Sequence, residues 1–271
     1  MIVPARILAL LRKEIAELAR NRAALLPVAF VALITTALPF FIAVATPRIS
    51  GHPLSNDADL VHALTRVSGE LPGIERLPAE AAVQAFIFSR FLVMTLLVPV
   101  TGAITFAGHS LIGEKIGKSL EPLLATPITT TELLLAKVAG AMIPSLAIMM
   151  FTTMVYMVGV ATLAEPGVLR ALLSLKTALL VLGLGPITSC LALQVGVLVS
   201  ARVNDPRTAQ QFGALFILPL TGLFMAQMSG VFVLTVGTGL LVFAALCGAW
   251  ILLLVVGVKL FRREAILTRW K

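Results

Sequence analysis

Residues 109–137 read HSLIGEKIGKSLEPLLATPITTTELLLAK, a charged segment set between two blocks of nearly pure hydrocarbon. Ile112, Ile116, Leu120 and Leu123 recur at helical spacing, while Glu114, Lys115, Lys118 and Glu121 fall on the opposite side. Glu114 precedes Lys118 by one helical turn in the favourable order, which contributes roughly 0.2–0.5 kcal/mol on an exposed helix. Pro122 bends or ends that helix, and Thr126-Pro127 turns the chain. Thr129 then stands three residues before Glu132, a capping box that opens a new helix near Thr130. The pattern is that of a short amphipathic rod lying on a membrane face between two spans. A plain solvated loop is the alternative reading.

The sequence on either side supports the membrane. Of 271 residues, 59% are hydrophobic and 13% charged, and the mean hydropathy is +1.02. Uncharged runs long enough to cross about 30 Å of hydrocarbon, about 20 residues each, recur along the chain. The expected fold class is therefore an all-α polytopic membrane protein, a single transmembrane domain over residues 1–271. The net charge of +8 does not indicate nucleic acid, because the cations cluster beside the apolar runs and no basic face remains. Cys190 and Cys247 both lie inside apolar runs and form neither a disulfide framework nor a metal-ligand spacing.

Residues 1–22 predict an interfacial amphipathic helix. Ile7, Leu8, Leu11, Ile15 and Leu18 make its apolar face, set toward lipid, and Arg12, Lys13 and Arg20 face the headgroups. A first span follows at 23–45. Its end, Ala43-Val44-Ala45, resembles a signal-peptidase site, but the apolar stretch exceeds a signal core of roughly 7–15 residues, so it reads as a retained helix. Residues 46–81 form an extracytoplasmic loop. Asn56 or Ser55 caps a short helix carrying Leu60, Val61, Leu64 and Val67, and Pro78 opens the helix leading into a second span at 82–108. A loop of under about 40 residues buries too little surface to fold alone. Arg90, near the start of that span, is expected to snorkel to the interface.

After the cytoplasmic segment 109–137 come spans at 138–163 and 172–200, joined by the turn Glu165-Pro166-Gly167. Asn204-Asp205-Pro206 then offers an N-cap with proline at the first helical position. From Phe212 to Val258 there is no charge, too long a run for one crossing and enough for two. The reading favoured is spans at 212–228 and 237–260 with a re-entrant helical hairpin around Ser229-Gly230. A plain helical hairpin is the alternative. Six spans put both termini on one side, with fifteen of the 21 Lys and Arg against six on the other, so both termini and the central segment are expected in the cytoplasm.

Chemistry is sparse. No phosphate-binding loop exists; Gly108 and Gly113-Glu114-Lys115 only echo one. His52, His62 and His109 are isolated, so no metal site and no cofactor is expected in this chain. The spans carry Thr35, Thr36, Thr101, Thr105, Thr152, Thr153, Tyr156, Thr188, Ser189, Gln194 and Gln227, expected to hydrogen-bond between helices. No Asp or Glu lies near a midplane, where an ion-coupled carrier would need one. Energy for transport must come from another chain.

The central segment resembles the signature of the ABC-2 type transporter permeases. The match runs through Gly113-Glu114-Lys115, Gly117, Ser119-Leu120-Glu121, Leu123-Leu124 and Thr126-Pro127-Ile128, then Glu132-Leu133-Leu134-Leu135 and Lys137. Ser119 stands where threonine is common, and Lys118 intervenes after Gly117. The resemblance implies a membrane subunit of an ABC exporter that is not itself an enzyme, in the cell inner membrane. It implies two cytoplasmic ABC ATPase subunits carrying the ATP and Mg, and a second permease copy or homologue. Glu114, Lys115, Ile116, Gly117, Lys118, Ser119, Leu120 and Glu121 would then form the ATPase-coupling helix, and substrate would leave past the hairpin near Met225–Thr235. The rival classes are a secondary transporter, which lacks its midplane ionisable groups here, and a regulatory membrane subunit that moves no cargo.

Overall fold

The computed structural model describes residues 4–67, 74–116, 130–200, 211 and 217–260. Among these residues the chain is helical and forms no strand. The first helix, α1 (Pro4–Arg20), stops at Asn21, whose backbone is extended and whose side chain accepts from the Ala24 amide at 3.2 Å. Asparagine here satisfies one of the free donors that open a helix, so the corner into α2 (Arg22–Ser50) is set locally. Pro39 interrupts the α2 ladder, and Phe41–Ala45 directly after it widen into a π-helical turn. Ala43-Val44-Ala45 lies inside that turn, with Ala43 and Val44 buried.

The short helix α3 (Ala58–Val67) follows. Its cap is Asp57 rather than Asn56 or Ser55: Asp57 Oδ1 accepts from the Asp59 and Leu60 amides at 2.9 and 3.2 Å. A carboxylate suits this end better, because it adds charge complementarity to the helix dipole. The Glu80 carboxylate accepts from the Leu54 and Ser55 amides at 3.1 and 2.9 Å, which stitches this loop to the start of α4. Helix α4, residues 79–116, begins after Pro78 and passes through a 3-10 turn at Leu92–Leu96. It does not stop at Gly108 but continues to Ile116.

Then come α5 (Thr130–Leu163), the short α6 (Val168–Leu172) and α7, residues 175–200. Leu173 leaves helical geometry, and Ser174 caps α7 by accepting from the Thr177 amide. The last two described helices are α8 (Ile217–Met228) and α9 (Val236–Leu260). Among the described residues, five helices are long and apolar enough to cross a membrane. The described part of α8 covers about 18 Å at about 1.5 Å per residue, short of the roughly 30 Å hydrocarbon layer. Residues 229–235 between α8 and α9 are turn and coil, so Ser229 and Gly230 stand outside any helix.

Helix α4 is the axis. Its apolar core is 83% buried, against 22% for α5 and 6% for α9, and α2, α5 and α7 pack along it. Small residues permit the close approach: a Cβ on Gly102 of α4 would stand 2.9 Å from Ser145 Oγ of α5. In lipid, where apolar side chains gain little by leaving one apolar phase for another, such contacts hold helices together.

Two expectations about polar groups are corrected. Most span hydroxyls do not join helices. Thr35, Thr152 and Thr188 donate to carbonyls of Val31, Ile148 and Leu184, one turn back in their own helices, because a threonine Oγ1 reaches that acceptor without any neighbour. The interhelical bonds come from longer side chains. Tyr156 donates to the Phe88 carbonyl at 2.7 Å. Gln84 donates to the Ala43 carbonyl at 3.2 Å and accepts from the Glu165 amide at 2.8 Å. Nor does Arg90 snorkel: it is 1% exposed, with its guanidinium 5.2 Å from the centre of the Phe86 ring. The helix carrying it is enclosed on all sides, so no path to the interface is open.

Candidate functional site

The described ends of the central segment are the last residues of α4 and the first of α5. Glu114, Lys115 and Ile116 form the last turn of the α4 backbone, so the first part of the segment is collinear with the second span rather than a separate rod. Gly117, Lys118, Ser119, Leu120 and Glu121 lie outside the described residues. The run of α4 beyond Gly108 adds about 12 Å at about 1.5 Å per residue. That tip belongs to the most buried of the described membrane-length helices.

The two roots of the segment are tied to α1 by a polar cluster. Lys137 Nζ lies 3.1 Å from Glu14 Oε1. Ser110 Oγ donates to Glu14 Oε2 at 2.7 Å and accepts from Lys137 Nζ at 3.0 Å. Glu14 and Lys137 are each 7% exposed. Both carboxylate oxygens thus have a donor, which is the condition under which a desolvated ion pair holds together rather than costing stability. Gly140, one turn above Lys137, makes room: a Cβ there would stand 2.8 Å from the Glu14 Cβ. A second link lies beside it. Asn21, besides capping α2, brings its Nδ2 to 3.4 Å from His109 Nδ1. One corner therefore joins α1, α2, the end of α4 and the start of α5.

The predicted interfacial cations stand around this corner. Arg12 and Arg20 are exposed, and Lys13 pairs with Glu17 one turn on at 3.5 Å. The side of α1 that meets the bundle lies beside the stripe read as facing lipid. Leu10 and Glu14 are buried, whereas Leu8 and Ile15 are exposed at 49% and 37%. Glu14 and Ser110 escaped that reading altogether. The available signal was a single carboxylate, Glu14, one turn after Leu10 beside the apolar face. No group of three or more His, Cys, Asp or Glu that could hold a metal occurs among the described residues.

The comparison with protein families decides what such a corner belongs to. Residues 8–240, from α1 into α9, match the family described as ABC-2 family transporter protein. The chain belongs to the ABC-2 transporter family. No individual curated protein matches it. An ABC-2 protein is the membrane permease of an ABC transporter, in general a non-catalytic component that works with an ABC ATPase. The multi-pass character read from the apolar helices agrees with that membership.

Proposed function

We propose that this ABC-2 permease is the membrane-spanning subunit of an ATP-driven exporter, paired with a second copy or homologue and driven by separate cytoplasmic ATPases. The observation that carries the reading is the buried Glu14–Ser110–Lys137 cluster. It clamps both roots of the segment carrying Glu114–Glu121 to the N-terminal helix. The polar face of that segment meets the ATPase, and closure of two ATPases presses on it. Because α4 runs as regular α-helix from Leu97 to Ile116, the push tilts a span instead of being absorbed in a loop. The clamp makes α1 move with α4 and α5, so the three helices act as one lever. On this reading α1, both termini and residues 109–137 are cytoplasmic in the inner membrane, and the 46–81 loop faces outward.

The test is co-expression of the permease with its ATPase. Glu114→Ala combined with Glu121→Ala should leave the permease inserted at the wild-type level yet reduce ATPase co-purification, and transport with it, by at least tenfold. Wild-type recruitment and transport by that double variant would remove the role given to the segment. Cargo-stimulated ATPase activity in reconstituted vesicles is expected, and its absence in transport-competent conditions would favour a regulatory subunit instead.

A further inference from the structure

At the face opposite α1, a cavity of about 210 Å³ opens between α3, the first turns of α4 and the end of α8. Gln227 lines it, fully buried, and neither of its amide atoms has a hydrogen-bond partner among the described residues. Burying a primary amide without partners is unfavourable. A side chain of this length on a lipid-facing helix could instead have been leucine. The cavity is therefore shaped to meet a polar group that binds there.

The lining says which kind. Asp59 stands at the exposed mouth and offers a carboxylate. The Ser229 hydroxyl donates to the Ala226 carbonyl at 3.1 Å, so only its lone pairs remain for a guest. Gln227 adds a carbonyl oxygen and two amide N–H donors. His62, three residues beyond Asp59, offers one donor and one acceptor when neutral. Among the described lining residues acceptors thus outnumber donors and none is Lys or Arg; Arg90 lies over the Phe86 ring. Phe86 and Met228 supply apolar wall. The volume is below the roughly 300–1,000 Å³ of pockets that hold a whole drug-sized ligand, which suits a head group.

From this we infer that the cavity is a binding site for an ammonium-bearing head group, with the cation at Asp59 and the body against Phe86 and Met228. That the cavity faces outward, on the release side, rests on the exporter reading given above; the binding itself does not. Water alone is the other occupant with room and partners, since about 30 Å³ per molecule allows several.

The probe is tyramine, an arylethylammonium, titrated against the purified full-length permease in lipid nanodiscs without any ATPase. 4-Ethylphenol, which has the same body without the ammonium, is the control. Saturable tyramine binding is expected, at least tenfold tighter than 4-ethylphenol. Asp59→Asn, at an exposed position that leaves the fold intact, and Gln227→Leu should each weaken it at least tenfold. Gln227→Leu should melt at or above the wild-type temperature, because it removes an unpartnered buried amide. No saturable binding, equal binding of the two probes, or wild-type binding by both variants would overturn the site and leave a water-filled cavity. Since no ATPase is present, failure here is distinguishable from failure of coupling.

Discussion

Glu14 and Lys137 are 123 positions apart in the chain, and their pairing shows what a sequence can and cannot disclose at the level of one residue. Lys137 reads as one more cation on the positive side of a span, and Glu14 as a charge on an interfacial helix. Only the packing of α1 against the start of α5 reveals that each neutralises the other away from water. Removing one partner strands a buried charge, which costs about 3–5 kcal/mol. Glu14→Ala and Lys137→Ala should therefore each lower the midpoint of thermal unfolding in detergent strongly. Glu14→Leu with Lys137→Met should lie well above either, since an apolar pair of similar size leaves no charge behind. A double-mutant cycle with coupling below about 0.5 kcal/mol would show that the two residues act independently. Arg90 makes the same point in reverse. Its position near the start of a span predicts an escape to the interface, yet enclosure of α4 by its neighbours leaves it over Phe86, and no local pattern announces enclosure.

At the level of elements the sequence was far more legible. Long uncharged runs, prolines and capping residues mark helices because those signals act within a few residues. The all-helical membrane architecture follows from them. What they leave open is rotation and contact. The apolar stripe of α1 reads as lipid-facing, and no local pattern announces that the side beside it, with Leu10 and Glu14, meets the bundle. Likewise, a threonine in a span looks like an interhelical donor until its own helix supplies the acceptor. That difference has a measurable consequence. Gln84 links the π-helical turn of α2, through the Ala43 carbonyl, with the turn after α5, through the Glu165 amide. Gln84→Leu removes both bonds and leaves two backbone groups without that partner, so a loss of about 2–4 kcal/mol is expected at about 1–2 per group. Thr152→Val removes only a bond to Ile148 in the same helix, whose carbonyl also serves the backbone ladder, so its effect should be clearly smaller than that of Gln84→Leu. Equal melting temperatures for the two variants would show that Gln84 is not the tie between these elements.

For the molecule as a whole, the decisive quantity is which end faces the cytoplasm. The helix ends sort into two groups. At one end lie α1, Ser110, Lys137 and the C-terminal part of α7, where Gly196 comes up against Ile104 and Ala107. At the other lie the Glu80 ties to residues 54 and 55, the Gln84 tie to Glu165, and the cavity between α3 and the end of α8. From α7 to that cavity the chain passes from the first end to the second, and α9 leads away from it. On the sequence reading the Lys and Arg excess falls at the first end, fifteen to six if the C-terminus is placed there, and such an excess orients short-looped membrane proteins with that end inward. In a background with Cys190 and Cys247 replaced by alanine, a membrane-impermeant maleimide should therefore label His52→Cys and Glu165→Cys on intact cells. Arg12→Cys and Lys271→Cys should react only after permeabilisation. Labelling of Lys271→Cys from outside would mean an odd number of crossings and would place the basic tail on the wrong side of the charge rule. Labelling of Arg12→Cys from outside would be more damaging. It would put the Glu14–Lys137 clamp and the segment it anchors beyond the reach of any cytoplasmic ATPase, and the lever would have nothing to push it.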